Sequence, residues 1–263
     1  MKLGFIGAGN MARAIIGGVL HSGLVEPKEV IASDVSQDAI DHVSKTLGIE
    51  TTTDNYLAAQ AEILFLAVKP IYLQQVLEEI KGDIPAKTII VSIVAGKDIS
   101  WLEERIGSEH KIIRTMPNTP ALVGEGITAV CPNEKIERKE LEEVLSILQS
   151  FGKAEVVAES MMDAVVAVSG SSPAYVFMFI EAMADAAVAE GMPRAQAYQF
   201  AAQSVLGSAK MVLETGKHPG ELKDMVCSPA GTTIEAVQSL ENHGFRGTVM
   251  ECMRACARKN REL

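Results

Sequence analysis

The chain has 263 residues, of which 48% are hydrophobic and 22% are charged, a balance typical of a globular protein with one or two domains. Its net charge of −10 argues against a nucleic-acid partner, because phosphate binding needs clustered Lys and Arg. The start of the sequence has no signal-peptide pattern, and no uninterrupted run of roughly 20 apolar residues favours a membrane span. We therefore expect a cytoplasmic protein without nucleic-acid or membrane partners.

Short apolar runs alternate with helix-like patterns along the first part of the chain. Continuously apolar short strands between helices are typical of a parallel sheet that is buried on both faces, so this order predicts an α/β fold. The strand-like runs lie at residues 2–6, 29–33, 62–67, 88–93, 111–115, 126–131 and 154–158. The helix-like patterns lie at residues 10–22, 36–47, 71–80, 99–106 and 137–150.

From about Met161 the composition changes, because Ala, Met, Glu and Gln dominate and strand-like runs stop. We expect an α/β domain over residues 1–160 and an all-α domain over residues 161–263. Residues 174–189 are apolar nearly all round, so we interpret them as a buried helix that must be covered on most sides. The cover is either a second subunit or the chain's own bundle, and the small size of the helical domain favours a homodimer.

A glycine motif follows the first predicted strand and opens the first predicted helix. In this setting Gly7 makes a tight turn, Gly9 lets the backbone approach a pyrophosphate, and Ala12 allows the helix to pack closely on the strand. The helix start also offers free N–H groups and a positive partial charge to an anion. The motif predicts a Rossmann dinucleotide-binding domain.

Three further segments end predicted strands, at the edge where open α/β sheets bind ligands. Asp34 lies where a carboxylate normally accepts the adenosine ribose hydroxyls, which favours NAD over NADP; the alternative is a cap for the helix near Ser36. Lys69, in the segment 67–70, could donate to phosphate or ribose or could be a solvated surface residue. The segments 94–96 and 115–120 leave room for a flat nicotinamide ring.

Six segments of the chain, taken together, are more specific than the glycine motif. They read F-I-G-A-G-N-M-A, L-F-L-A-V-K-P, M-P-N-T-P, S-G-S-S-P-A-Y, H-P-G-E-L-K-D-M-V and S-P-A-G-T-T-I-E-A-V. In this order they resemble the pyrroline-5-carboxylate reductase family. The resemblance implies reduction of 1-pyrroline-5-carboxylate to L-proline with NADPH or NADH, a Rossmann domain, and a helical domain that interlocks between two subunits. It also implies assembly as a homodimer, with a decamer of five dimers as a larger form.

The resemblance also implies which residues form the site, and no metal is among its components. The substrate-binding residues would be Glu159, Ser228, Gly231, Thr232 and Thr233. The cofactor-binding residues would be Ile6, Gly7, Ala8, Gly9, Asn10, Met11, Asp34, Asn55, Ala67, Val68, Lys69, Pro70 and Ala95. The chain departs from the family's usual pattern at Ser172 and Ala230, where many members have Gly, and at Met225, where Asn is frequent.

The chemistry of a cyclic imine suits the turn at residues 228–233. Free N–H groups at this helix start could bind the substrate carboxylate without any Arg, and Gly231 would allow a close backbone approach. Thr233 is the candidate catalytic residue, as a hydrogen-bond partner of the ring nitrogen, while Glu159 would hold the substrate or its solvent. The turn also fits an ordinary helix start in which Thr232 and Glu235 form a capping box, and the two interpretations are compatible because a cap would preorganise the turn.

Two other functions are compatible with a two-domain layout of this kind. A β-hydroxyacid dehydrogenase would need a catalytic Lys after a glycine-rich turn in the helical domain, and no such Lys is present. A regulator that binds a dinucleotide without catalysis would not need a second anion-binding turn. The four cysteines lack the spacing of a metal site, so we expect no metal.

Overall fold

The computed structural model describes residues 1–262, which form two compact units. One unit comprises Met1–Ser171 together with the chain from Cys256 onward, and the other comprises Ser172–Ala255. The first unit therefore extends beyond residue 160 and takes back the end of the chain. The boundary at 160/161 follows the change in composition, and as a boundary between functional domains it remains a prediction.

The first unit contains a single eight-stranded sheet with the order β3-β2-β1-β4-β5-β6-β7-β8. Strands β1 to β6 are parallel in the order typical of a Rossmann fold, whereas β7 is antiparallel to β6 and parallel to β8. The strands are β1 (Leu3–Ile6), β2 (Val30–Ser33), β3 (Glu50–Thr52), β4 (Ile63–Leu66), β5 (Ile89–Ser92), β6 (Lys111–Met116), β7 (Gly126–Pro132) and β8 (Gly152–Val156). The predicted Rossmann domain is confirmed.

The first unit also contains helices, most of which connect successive strands of the sheet. They are α1 (Asn10–His21), α2 (Gln37–Leu47), α3 (Asn55–Ala59), α4 (Pro70–Ile80), α5 (Ile99–Ile106), α6 (Arg138–Gln149) and the short α7 (Met162–Val165). Alternate residues of β4 enter two separate hydrophobic clusters: Phe65 belongs to one and Leu66 to the other. The sheet is thus buried on both faces, as its continuously apolar strands predict.

Strand β3 and helix α3 are absent from the sequence prediction. The strand consists of Glu50, Thr51 and Thr52, and none of these residues is buried. Its place is defined by backbone pairing with β2, which continues in the bond from Asp34 N to Thr52 O. A short polar edge strand gives no hydrophobic pattern, so periodicity could not reveal it.

The second unit is helical. It contains α8 (Ser172–Ala189), α9 (Arg194–Thr215), α10 (Pro219–Val226), α11 (Thr232–Asn242) and most of α12 (Phe245–Arg261). Helices α8 and α9 pack against each other.

The apolar helix α8 is not a buried helix within this chain. Only Pro173 and Ala184 are buried in it, while Phe177 is 63% exposed and Met178 is 68% exposed. The helical stretch Glu159–Ala189 is long and apolar enough to cross a membrane by length and composition, with 17% of its most apolar window buried. One chain alone therefore leaves the apolar surface of α8 exposed, whereas the sequence pattern predicts that this surface is buried.

Candidate functional site

Gly7 lies where the loop after β1 contacts the end of β4. Its φ angle is +103°, and a Cβ atom there would stand 2.5 Å from the carbonyl oxygen of Ala67. Both the backbone conformation and the close approach therefore require glycine. The contact brings the glycine loop next to the segment that begins at Ala67.

Gly9 is the N-cap of α1, and its own conformation is ordinary. Its φ angle is −72°, and a Cβ atom there would meet nothing within 4 Å. Among the residues that the structure describes, no side chain caps the start of α1. The first turn of α1 contains Asn10 and Met11, so its N–H groups open onto free space above Gly9. An uncapped helix start beneath open space fits a pyrophosphate group.

Asp34 stabilises the glycine loop through hydrogen bonds. One carboxylate oxygen accepts a hydrogen bond from Ala8 N at 2.8 Å, and the other accepts from Ser36 N at 2.9 Å. The cap of α2 is Ser36 itself, whose hydroxyl oxygen accepts from Ala39 N at 3.3 Å. Asp34 thus does not cap the helix directly. It holds the glycine loop beside the end of β2 and remains partly accessible to solvent.

The other predicted cofactor residues differ in the exposure and hydrogen bonding of their side chains. Asn55 is buried, and its amide accepts from Ser33 Oγ at 2.8 Å and donates to Glu79 at 2.9 Å. Lys69 is exposed and is the N-cap of α4, followed by Pro70 in the first turn. Ile6 is buried at the end of β1, while Ala67, Val68 and Ala95 are partly buried.

Glu159 makes two bonds that the sequence did not reveal. Its Oε1 atom accepts from Ile99 N at 2.8 Å and from Arg114 Nη1 at 3.0 Å. Arg114 is almost fully buried on β6. The only signal in the sequence is an Arg inside the apolar run of residues 111–115, and burial of a charge there requires a partner.

Glu159 and Arg114 line a polar cavity of about 400 Å³. Its other lining residues are Gly96, Asp98, Ser160, Met162, Asp163, Asn260 and Arg261. Asn260 donates to Asp163 at 2.8 Å, so the end of the chain closes one side. Near this pair, burial together with the negative charge of Glu159 raises the pKa of the Cys131 thiol, which therefore stays protonated at neutral pH.

In the second unit, residues 228–231 form a β-turn. Gly231 N donates to Ser228 O at 3.0 Å, Pro229 is the first central residue, and Ala230 has a φ angle of +53°. Pro followed by a residue with positive φ is the pattern of a type II turn, in which glycine is usual at the second position. Ala230 therefore adopts a strained conformation next to the predicted substrate residues.

The predicted capping box at the start of α11 is wrong. The helix begins at Thr232, its N-cap is Gly231, and no side chain in the described chain caps it. Thr232 lies one residue inside the helix, so its hydroxyl is not in the capping position. The first N–H groups of α11 are thus left for another acceptor, with Thr232 exposed and Thr233 partly buried.

Ser228 and Gly231 are in direct contact across this turn. A Cβ atom on Gly231 would stand 2.1 Å from Ser228 Oγ and 3.1 Å from Ser228 O. The φ angle of Gly231 is −83°, which any residue can adopt, so the crowding at this position comes from the Ser228 side chain and not from backbone conformation. Any side chain at Gly231 would displace the Ser228 hydroxyl.

Two family models match this chain. The family model for pyrroline-5-carboxylate reductase dimerisation matches residues 159–263, and the model for NADP oxidoreductase coenzyme F420-dependent matches residues 2–96. The chain is 54% identical to the pyrroline-5-carboxylate reductase of Escherichia coli (strain K12), over 100% of this chain and 98% of that protein. It is 44% identical to the enzyme of the same name from Methanosarcina acetivorans, over 100% of this chain and 97% of that protein.

Solved structures give the same similarity. The crystal structure of Plasmodium falciparum pyrroline carboxylate reductase with NADP bound matches with a TM-score of 0.92 and 34% identity, over 100% of this chain and 97% of that chain. The Aquifex aeolicus prephenate dehydrogenase matches with a TM-score of 0.56 at 14% identity, which shows a shared fold alone.

We expect Gly9→Val to abolish dinucleotide binding while the protein stays folded. The side chain would occupy the open space over the start of α1, where a Cβ atom has no protein neighbour within 4 Å. Titration with NADPH and NADH, followed by nicotinamide fluorescence, measures the loss, and circular dichroism checks the fold. Gly7→Val is the contrasting variant, because its side chain would collide with Ala67 and destabilise the domain. Unchanged cofactor affinity in Gly9→Val would contradict this assignment of the pyrophosphate position.

Proposed function

This chain belongs to the pyrroline-5-carboxylate reductase family, and we propose that it reduces the cyclic imine 1-pyrroline-5-carboxylate to L-proline, the last step of proline biosynthesis. The observation that carries the proposal is the identity of 54% over the whole chain, with the glycine loop and the 228–233 turn both intact. In this proposal the enzyme is an NAD(P)H-dependent oxidoreductase.

We propose that the cofactor lies along the carboxyl edge of the sheet. Ile6, the loop from Gly7 to Met11, and Asp34 would hold the adenosine and pyrophosphate part. Support comes from the uncapped start of α1 and from the bond that joins Asp34 to Ala8. The segment 67–70 and Ala95 would hold the remainder, and Asn55 would act mainly by fixing Ser33 at the end of β2. When bound, NADPH or NADH supplies the hydride.

We propose that the turn at residues 228–233 binds the substrate carboxylate. The carboxylate would accept from the uncapped N–H groups of Thr232 and Thr233, where the positive end of the α11 dipole favours an anion. Ser228, whose hydroxyl lies against Gly231, would add a further donor. This mode of binding needs no Arg, which agrees with the absence of basic residues from the turn.

The proposed reaction does not need a strong acid from the protein. A ketone must be protonated as its oxygen becomes an alkoxide, whereas a protonated imine is already cationic and becomes a neutral amine when it accepts hydride. Thr233 would hydrogen-bond the ring nitrogen and orient it. Glu159 would hold the substrate or its solvent, with Oε1 already fixed by Arg114. Most of the rate would come from alignment of the two rings.

We also propose that a second copy of the chain covers α8. The match of residues 159–263 to a dimerisation family supports oligomerisation, and the exposed Phe177 and Met178 supply an apolar surface of the kind that an obligate interface buries. In this proposal the homodimer is the basic form, five dimers form a decamer, and the protein is cytoplasmic with no nucleic-acid or membrane partner. Residues 161–263 would be the dimerisation and substrate-binding domain.

The decisive assay for this function follows nicotinamide absorbance with pyrroline-5-carboxylate as substrate. We expect cofactor oxidation matched by formation of L-proline, detected by chromatography, with both NADPH and NADH. A β-hydroxyacid with NADP or NAD is the contrasting substrate, and we expect no turnover of it. Oxidation of the hydroxyacid, or dinucleotide binding without turnover of either substrate, would contradict the proposal.

Asp34 should disfavour the 2′-phosphate of NADPH by charge repulsion, so we expect NADH to be at least competitive. Asp34→Asn keeps an acceptor for Ala8 N but removes the charge, and it should raise the NADPH-to-NADH ratio of kcat/KM by about tenfold, or 1.4 kcal/mol. Asp34→Ser should shift the ratio in the same direction but also lower the affinity for both cofactors, because the hydrogen bond from Ala8 N to Asp34 is lost. A wild-type preference for NADPH of more than about tenfold would contradict this role for the charge.

Thr233→Val should lower kcat/KM for the imine by about tenfold to a hundredfold, because a lost hydrogen bond to a charged group costs about 1.5–3 kcal/mol. Gly231→Val should do worse, since its side chain displaces Ser228 Oγ. Cofactor affinity should stay near the wild-type value in both variants. Thr248→Val, which removes a helix hydroxyl that donates to Gly244 O, is the matched control and should leave the kinetics unchanged. Full activity of Thr233→Val would leave its hydroxyl without a chemical role.

Light scattering of the detergent-free protein at micromolar concentration should give at least twice the mass of one chain. An obligate interface commonly buries roughly 2,000 Å² or more, which one charge can disrupt. Met178→Glu should therefore reduce the mass or cause aggregation, while Val123→Glu, at an apolar site of the first unit that is also mostly exposed, should not. A well-behaved wild-type monomer, or sedimentation with added lipid vesicles, would count against cover by a second copy.

A further inference from the structure

Asn118 joins two of the six sequence segments, M-P-N-T-P and S-G-S-S-P, to which the proposed function gives no role. It follows β6, is 8% exposed, and uses both ends of its amide. Its Oδ1 atom accepts from Ile127 N at 2.9 Å, and its Nδ2 atom donates to Ser169 O at 3.2 Å. All three residues belong to the first compact unit.

The sequence explains why Ser169 needs this donor. Residues 166–170 form a turn of π-helix, in which Ser171 N donates to Val166 O at 2.8 Å. In a continuous α-helix, the carbonyl of Ser169 would accept from the residue four positions later, but that residue is Pro173, which has no N–H group. The amide of Asn118 takes the place of the missing donor.

The linked segments lie at the edge of the sheet that serves the cofactor. Strand β6 runs parallel to β5, with Ser92 opposite Arg114, and Thr115 Oγ1 donates to Ser92 O at 3.0 Å. The loop after β6 therefore lies beside the loop that contains Ala95. In a Rossmann fold this second half of the sheet serves the nicotinamide mononucleotide. Met116 also bounds the space beside Gly170, with its Sδ atom 3.7 Å from a Cβ position there.

We propose that Asn118 is a positioning residue for hydride transfer. Its amide holds the segment 169–171, through Ser169, against the loop after β6. The two segments together form a rigid boundary on the nicotinamide side of the cofactor site. The proposal rests on the proposed function and goes beyond it. If this boundary moves, the cofactor still binds through the glycine loop, but its reactive ring is held less firmly, and misplacement by about 1 Å can cost a hundredfold in rate.

A second buried asparagine provides a matched control for a purely structural role. Asn133 also follows a strand, is 9% exposed, accepts from Ile112 N at 3.2 Å and donates to His110 O at 3.0 Å. It lies beside the first residues of β6, at the opposite edge of the sheet. Asn→Asp at either position keeps the acceptor and replaces the donor with a negative charge that faces a carbonyl group. At Asn133 the new charge also faces the Glu103 carboxylate, which accepts from the native amide at 3.0 Å, so the control is at least as severe a change as the test variant.

The test compares Asn118→Asp and Asn133→Asp in the full-length protein. Single-turnover oxidation of NADPH by pyrroline-5-carboxylate should slow by about tenfold to a hundredfold in Asn118→Asp, with NADPH affinity nearly unchanged. A primary isotope effect with 4-deuterated NADPH should report hydride transfer as the slowed step. Asn133→Asp should keep wild-type kinetics at temperatures where both variants are folded. Asn118→Ala, which removes the donor without adding a charge, should reproduce the slowing if Asn118→Asp does not fold.

Two readouts do not depend on turnover. Hydrogen exchange of the peptide that contains residues 166–171 should accelerate in the Asn118 variants alone. Fluorescence anisotropy of bound NADPH should fall in the same variants, because the ring is held less firmly. Equal behaviour of the Asn118 and Asn133 variants in kinetics and anisotropy would overturn the proposal. Wild-type protein without imine reduction would instead overturn the proposed function, and the anisotropy comparison would still decide the role of Asn118.

Discussion

The close approach of Gly7 to Ala67 is the constraint on which the cofactor half of this molecule depends. A Cβ atom at Gly7 would lie 2.5 Å from a backbone oxygen, so only glycine lets the loop after β1 meet the end of β4. That contact sets the direction in which the chain enters α1, and Asp34 fixes the same loop to β2. The ends of three adjacent strands thereby form one surface, with an uncapped helix start at its centre.

The proposed substrate turn and the glycine loop, which is the proposed cofactor site, share one structural feature. Gly9 and Gly231 are both N-caps without a capping side chain in the described residues, and each leaves the first N–H groups of a helix for an anion. Ser36, Asp54 and Asp98 cap other helix starts with their side chains, whereas α4 and α9, within residues 1–262, also begin without a side-chain cap. In the proposed function, backbone groups would therefore bind two anionic ligands, a pyrophosphate and a carboxylate, in a protein whose net charge is −10.

Hydrophobic pattern and glycine chemistry predicted most of the fold and the tight turn at Gly7, because strands such as 63–66 are fully apolar and Gly7 has a conformation that glycine favours. Features set by tertiary contacts escaped prediction. The polar strand β3 exists through pairing with β2, and the bond between Glu159 and Arg114 joins residues that are far apart in sequence. Thr232 was misjudged as a cap because a shift of one residue decides whether a hydroxyl reaches the helix start.

The central claim is that backbone N–H groups and Thr233 orient an imine that is already protonated, so that no acidic side chain takes part in hydride transfer. The most direct test is the pH dependence of the single-turnover rate with 4-deuterated NADPH and pyrroline-5-carboxylate. The account predicts a rate that follows one ionisation, that of the substrate imine as measured by titration of the free substrate, with the same profile in Thr233→Val at a lower amplitude. A second ionisation that belongs to the protein and controls hydride transfer would contradict it.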